Sequence, residues 1–160
     1  MLSIAPAISE DAIVIHEIQM RAFAEEGRLS ETVEIPPLME SVESIENLIE
    51  SQTVLVAKEG DQIVGSARGV VEGSVCTIRG VLVEPSHHGQ GIGASLLHAV
   101  EQQHPGIECF ELTTNTLVPG NVQFYERRGY KVNELTKYGA IIVLAQMSKQ
   151  ACFEDAQLKR

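Results

Sequence analysis

The chain has 160 residues, 44% of them hydrophobic, and a formal net charge of −10. This length suits one domain with a single packed core, and the acidic balance argues against nucleic acid as a partner. No apolar run approaches the roughly 18 residues that cross a bilayer, and the acidic start lacks the basic stretch of a secretory signal. We therefore expect a cytoplasmic protein that has no membrane partner.

The first half of the chain predicts two helices and three strands. Apolar residues recur at helical spacing over residues 9–23, behind the acidic Ser9-Glu10-Asp11. Pro36 and Pro37 are expected to break the chain, after which Ser41 or Ser44 caps a second helix. The segments TVLVAKE, QIVGSARGVV and VCTIRGVLVEP then predict strands. The turns between them are too short for a crossover helix, so these strands should be antiparallel.

The second half predicts a crossover followed by a closing hairpin. ASLLHAVEQQ has the spacing of a helix, and GIECFELTT predicts a strand parallel to the one before that helix. NVQFYERRG predicts another helix that ends at Gly129. Residues 130–134 and AIIVLAQM predict the hairpin. We expect one domain over residues 1–147 and a polar tail over residues 148–160.

Cysteine and histidine usage gives no indication of a metal site. Cys76, Cys109 and Cys152 are widely spaced and form no CxxC motif, so neither a disulfide framework nor a zinc site is expected. The side chains of the adjacent His87 and His88 should diverge, and no third ligand is evident.

The stretch VLVEPSHHGQGIGA carries three closely spaced glycines between a strand and a helix. Glycines leave the backbone N–H groups at a helix start open, and those groups favour an anion. Gly89, Gly91 and Ala94 also satisfy the dinucleotide pattern GxGxxA. That pattern belongs on the first strand of a parallel sheet, whereas three antiparallel strands come first here. GxxxxGK[ST] is absent from the sequence, so we expect a phosphate site of another kind, with a plain tight turn as the alternative.

The order of elements and two motifs, VLVEPSHHGQGIG and NVQFYERRGY, resemble the GCN5-related N-acetyltransferase (GNAT) family over nearly the whole chain. The sequence departs from the family at His88, where Arg or Gln is usual. The resemblance implies an α/β (α+β) fold with about four helices. Its sheet would be mixed, mostly antiparallel, of six to seven strands, and splayed between the fourth and fifth.

The resemblance implies acetyl-coenzyme A as cosubstrate and no metal. Backbone groups beside Val81, Leu82 and Val83 would pair with the pantetheine arm. The residues implied to hold the pyrophosphate are His88, Gly89, Gln90, Gly91, Ile92, Gly93 and Ala94. Asn121 would either hydrogen-bond the pantetheine or cap its helix, and both readings stay open.

The resemblance also implies that Tyr125 lies by the coenzyme sulfur and protonates the departing thiolate, although packing against Phe124 is an alternative. Family members often place a base at positions that correspond to Thr77 and Arg79, and neither residue is a useful base. We therefore expect the amine to lose its proton through water to a more distant acid, and Glu111 is preferred over Glu84.

Two features give conflicting indications of the acceptor. Arg79 could hold a carboxylate or phosphate of the substrate, while Thr77 would line the same site. Residues 1–60 carry 12 acidic and 3 basic side chains. The resemblance implies that the helices of this segment border the acceptor site, which instead favours a polyamine or basic peptide. We expect direct acetyl transfer to a primary amine of a small molecule, with a peptide amine second.

A coenzyme-binding regulatory module with weak catalysis is the alternative function, because an evident base is lacking. A homodimer is compatible with either reading.

Overall fold

Seven strands form one mixed sheet in the computed structural model, which describes residues 1–151. The strands are β1 (Leu2–Pro6), β2 (Thr53–Glu59), β3 (Gln62–Glu72), β4 (Val75–Val83), β5 (Cys109–Asn115), β6 (Lys131–Tyr138) and β7 (Ile142–Gln150). Their order is β1-β2-β3-β4-β5-β7-β6, and β4 with β5 is the parallel pair. The other five neighbouring pairs are antiparallel. The predicted mixed, mostly antiparallel sheet is thus confirmed.

Helices cover both faces of the sheet. They are α1 (Ala12–Ala22), α2 (Ala24–Leu29), α3 (Pro36–Met39), α4 (Val42–Ser51), α5 (Ile92–Gln102) and α6 (Asn121–Glu126), with 3₁₀ turns at Ser9–Asp11 and Pro85–His87. The described part of the chain therefore has six helical segments, where about four were expected. Two of the six, α2 and α3, are short.

Two local expectations near the first helices had different outcomes. Pro36 and Pro37 were expected to break the chain, but they begin α3, since proline suits the first turn of a helix. Ser41 does cap α4, because its Oγ accepts a hydrogen bond from Ser44 N at 3.1 Å.

Each face of the sheet has its own core. The α5 face buries Leu96, Leu97 and Val100 against residues of the sheet such as Leu112. The opposite face buries Ile15 and Ile18 of α1 with Ile45 of α4, against Val54 and Val56 of β2. The sheet therefore lies between two layers of helices and packs against both.

The parallel pair separates soon after it begins. Pairing joins Val75 to Cys109, Cys76 to Phe110 and Thr77 to Glu111, and no further rung follows. The register between β3 and β4 also shifts between Ser66 and Arg68, because Leu82 faces Ser66 while Arg79 faces Arg68. The predicted splay between the fourth and fifth strands is confirmed, and a bulge of β4 lies beside it.

The predicted domain boundary and the predicted polar tail lie near the end of the described residues. The boundary expected after residue 147 falls within β7, and residues 152–160, with Cys152, lie outside the described residues. No helix within residues 1–151 is long and apolar enough to cross a membrane.

Candidate active site

One wall of the opening between β4 and β5 is the backbone of Val81 and Val83. Glu84 N donates to Val64 O at 2.8 Å, so the peptide groups of Glu84 face β3 and those of Val83 face the opening. Leu82 pairs with Ser66 of β3 and buries its side chain. The backbone polar groups of Val83 are thus directed away from β3, where a coenzyme could reach them.

The glycine stretch forms an open cradle at the start of α5. Gly89 and Gly91 both have φ of 79°, which only glycine adopts readily, and a Cβ at either would meet no atom within 4 Å. The first helical bond is Ser95 N to Gly91 O, so the amides of Ile92, Gly93 and Ala94 have no partner within the helix. Such amides at a helix start suit a phosphate group.

Gly93 and Ile92 contribute differently from Gly89 and Gly91. Gly93 has no positive φ, and a Cβ there would make ordinary contacts at 3.6 Å to Phe124 and 3.7 Å to Val83. The side chain of Ile92 is buried in the core, so only its backbone can meet an anion. Gln90 and Ala94 complete the predicted loop, and Gln90 is exposed.

The two adjacent histidines point to different partners. His88 Nε2 donates to the carbonyl of Val83 at 3.1 Å, whereas His87 Nε2 lies 3.0 Å from Glu59 Oε1. His88 therefore occupies a backbone oxygen at the edge of the opening. Within residues 1–151 no group of three or more His, Cys, Asp or Glu residues could hold a metal ion.

Tyr125 lies on α6, which packs beside β5. Its ring contacts Phe124 edge-on, with centroids 5.0 Å apart, and Tyr130 at 6.0 Å. Burial and, to a smaller extent, the charge of Glu26 raise the pKa of Tyr125 to about 12, against the opposing charge of Arg128. The phenol therefore keeps its proton at neutral pH, as an acid catalyst must. Asn121, at the start of α6, donates from Nδ2 to Thr114 Oγ1 at 3.2 Å.

Three predicted site residues lie together on one face of the sheet. Thr77 and Arg79 are two positions apart on β4 and so share a face, and Glu111 is the direct neighbour of Thr77 on β5. Glu111 and Arg79 are exposed. We call Thr77, Arg79 and Glu111 the acceptor face. Glu84, the other acid considered, is held by Arg21 in an ion pair at 3.1 Å.

Sequence reasoning missed Glu26 and Asn115. Asn115, at the end of β5, donates from Nδ2 to Ser30 Oγ at 2.9 Å and so fixes the end of α2 against the sheet. Glu26 is half-buried on α2; burial raises the pKa of its carboxyl, while a hydrogen bond from Asn115 opposes the rise. Ser30 and Asn115 are 85 residues apart in the sequence, so no local sequence pattern could reveal that they are in contact.

Comparisons with known proteins agree with this geometry. Residues 50–132 match the model of the acetyltransferase (GNAT) domain family. No curated protein matches the chain significantly.

Solved structures share the fold over almost their full length. The PaiA N-acetyltransferase from Thermoplasma acidophilum, in complex with coenzyme A, is 20% identical with a TM-score of 0.77, covering 94% of this chain and 99% of that one. The ribosomal-protein-S18-alanine N-acetyltransferase from Escherichia coli is 16% identical with a TM-score of 0.77 and covers 94% of each chain. A GNAT-family acetyltransferase from Streptococcus pneumoniae is 19% identical with a TM-score of 0.70, covering 94% and 99%.

Proposed function

Because the chain belongs to the GNAT acetyltransferase family, we propose that it moves an acetyl group from acetyl-coenzyme A directly to a primary amine of a small molecule or peptide. It is a GNAT N-acetyltransferase, and its acceptor is the part of the function that the proposal adds. The observation that carries the proposal is the opening between β4 and β5, which has the glycine cradle at one end and the acceptor face on one side.

The glycine cradle suits the diphosphate of coenzyme A. The free amides of Ile92, Gly93 and Ala94 supply donors without side-chain crowding, while Gly89 and Gly91 leave the approach open. His88 and Gln90 lie at the rim of this cradle. The coenzyme supplies the activated acetyl group as a thioester.

The edge of β4 suits the pantetheine arm, which carries amides of its own. Peptide groups of Val81 and Val83 that β5 leaves unpaired can bond to such amides as they would to a neighbouring strand. The carbonyl of Val83 already accepts from His88 and has a second lone pair for an amide of the pantetheine arm. Asn121 bonds Thr114 and so holds the start of α6 beside the opening.

Two side chains would move protons during the transfer. The acceptor amine must be neutral to attack, and Glu111 would take its proton through a water molecule. The new C–N bond forms as the C–S bond breaks, and Tyr125 would give its hydroxyl proton to the departing sulfur. The proton that the nitrogen loses as it becomes an amide would return, through water, to the phenolate of Tyr125. Thr77 and Arg79 would contact the acceptor beside Glu111.

Thiol release with a mixed panel of amines, together with the mass of the products, tests this function. We expect saturable acetyl-coenzyme A binding by calorimetry and an acetylated amine in the panel. Absence of saturable binding would contradict the proposal. Binding without turnover on any amine would favour the regulatory module instead.

A further inference from the structure

Two arginines lie opposite each other on neighbouring strands, on the side of the sheet that carries the acceptor face. Arg68 of β3 is the direct partner of Arg79 on β4, so both side chains lie on the same face of the sheet. Like charges directly opposite each other in an antiparallel pair are destabilising. The arrangement therefore needs negative charge nearby, and the partners of each arginine show where that charge is missing.

The two terminal nitrogens of Arg68 are paired with residues of α1 and of the α3–α4 junction. Arg68 is only 4% exposed. Its Nη1 donates to both oxygens of Glu40 at 2.8 and 2.9 Å, and its Nη2 donates to Gln19 Oε1 at 2.8 Å. Ser44 Oγ and Gln19 Nε2 donate to the same carboxylate, at 3.1 and 2.9 Å. The charge of Glu40 is thus committed to Arg68 and is not shared with Arg79.

Arg68 also has one unsatisfied donor at the bulge of β4. Its Nε is buried and has no hydrogen-bond partner within residues 1–151. Gly80 covers this atom: its φ is 55°, and a Cβ there would lie 2.8 Å from Arg68 Nε. The unpaired Nε–H of Arg68 therefore lies against the backbone of Gly80, the residue after Arg79.

Arg79 itself forms no ion pair with any residue of the described chain. Glu84 is paired with Arg21, and Glu111 lies one rung away, beside Thr77. The acceptor face thus presents one exposed cation, Arg79, that has no ion-pair partner among the described residues, in a protein whose net charge is −10. An anionic group of the substrate would supply the missing partner.

The positions of Arg79 and Glu111 suit a small zwitterion. Arg79 lies two residues beyond Thr77 on β4, and Thr77 pairs with Glu111, so both charged side chains are on one face of the sheet where they can approach a shared ligand. A molecule with an ammonium near Glu111 and a carboxylate near Arg79 would satisfy both charges. A polyamine or basic peptide would instead bring a further positive charge toward Arg79.

We propose that the acceptor is a free amino acid or a similar small aminocarboxylate, whose carboxylate Arg79 binds. The inference rests on the proposed acetyl transfer and adds the substrate class. It favours the first of the two indications that the sequence left in conflict, because Arg79 lies on the same face as Thr77 and Glu111, beside the opening. The acidic side chains of residues 1–60 include pairs such as Glu40 with Arg68 and Glu25 with Arg28, which are already neutralised within the protein.

Matched substrate pairs test this class. Each amino acid is compared with the amine obtained by removing its carboxyl group, and kcat/KM is measured for both with acetyl-coenzyme A. We expect the intact protein to favour at least one amino acid over its decarboxylated partner by tenfold or more. Arg79→Gln should reduce that ratio toward one by lowering the amino-acid rate far more than the amine rate, and Arg79→Lys should retain part of it.

Two controls separate this effect from folding and from the proposed function. Lys137→Gln removes an exposed positive charge on β6, away from the acceptor face, and should keep the ratio. The melting temperature of Arg79→Gln should not fall, since the change removes an exposed side chain that forms no ion pair within the described residues. Preference for the decarboxylated amines, an unchanged ratio in Arg79→Gln, or acetylation of neither member of any pair would overturn the inference. Failure of acetyl-coenzyme A to bind would overturn the proposed function as well.

Discussion

Thr77 and Glu111 form the last paired rung between β4 and β5, and beyond them the two strands separate. Their side chains consequently lie at the closed end of the opening, on the same face of the sheet. A carboxylate here is close to any group that enters the opening from that face. This position is what makes Glu111 the proposed acceptor of the amine proton.

Glu111→Gln should lower kcat without changing the Kd for coenzyme A. The amide cannot take a proton, and general base catalysis typically contributes about 10²–10⁴ in rate. The deficit should shrink as pH rises above the pKa of the substrate amine, because a neutral amine needs no base. Glu108→Gln, an exposed carboxylate just before β5, is the matched control. An equal effect of both changes on the pH–rate profile would count against Glu111.

Gly91→Glu should weaken coenzyme A binding at least tenfold, or about 1.4 kcal/mol. A Cβ at this position meets no protein atom within 4 Å, and the carboxylate would add negative charge beside the diphosphate. Gly73→Glu is a matched control, since Gly73 also has a positive φ of 61° and open surroundings but lies in the β3–β4 turn. Both variants should lose similar stability, while only Gly91→Glu should lose binding in calorimetry. Equal binding in the two would show that the glycine cradle is not the site.

The local elements around this cradle were predictable because their patterns are short-range. The strand, glycine bend and helix were expected from VLVEPSHHGQGIGA, and the structure places β4, the 3₁₀ turn and α5 in that order. The separation of β4 from β5 followed from the family resemblance, since no local pattern specifies where a parallel pairing ends.

Contacts between distant segments were not predictable from the sequence. The Arg68–Glu40 pair joins residues 28 positions apart, and Asn115 meets Ser30 across 85 positions. Arg68 lies within an apolar strand pattern that gives no sign of a buried charge. Such pairs depend on how α1 to α4 pack on the sheet, which periodicity alone does not fix.

Tyr125→Phe should lower kcat and preserve binding of coenzyme A. The change removes the hydroxyl that would protonate the departing sulfur but keeps the ring contacts with Phe124 and Tyr130. Because the pKa of Tyr125 is about 12, the intact enzyme should show no loss of rate from phenol ionisation between pH 7 and about 10. Tyr138→Phe, at an exposed position of β6, should keep the parental rate. Parental kcat in Tyr125→Phe would exclude the hydroxyl as the proton donor.

Glu26→Gln should lower the pKa of Tyr125. The carboxylate of Glu26 raises that pKa by charge repulsion with the phenolate, and the amide carries no charge. Titration of tyrosinate absorbance should therefore show one of the three tyrosines ionising at lower pH than in the parent. Glu25→Gln, the adjacent exposed residue, should leave the curve unchanged. Identical curves for Glu26→Gln and the parent would place the carboxylate too far from the phenol to act on it.

Glu40→Gln should destabilise the fold, with an effect that depends on pH. Burial alone would raise the pKa of Glu40, yet the hydrogen bond from Gln19 and the charge of Arg68 lower it below its ordinary value of 4.5. A lowered carboxyl pKa adds stability above pH 4.5, and that stability is lost as pH falls through the folded-state value.

Removing one partner of a buried ion pair typically costs about 3–5 kcal/mol. The difference in melting temperature between the parent and Glu40→Gln should therefore be large at neutral pH. It should shrink as pH falls from 4.5 through the lowered folded-state pKa, below which the folded parent protonates Glu40 and also leaves Arg68 unpaired. Glu25→Gln breaks the exposed pair with Arg28 and should have little effect at any pH. A melting-temperature difference that stays constant down to acidic pH would mean that Glu40 gains no stability from its charge, and that its contacts with Gln19 and Ser44 act as neutral hydrogen bonds.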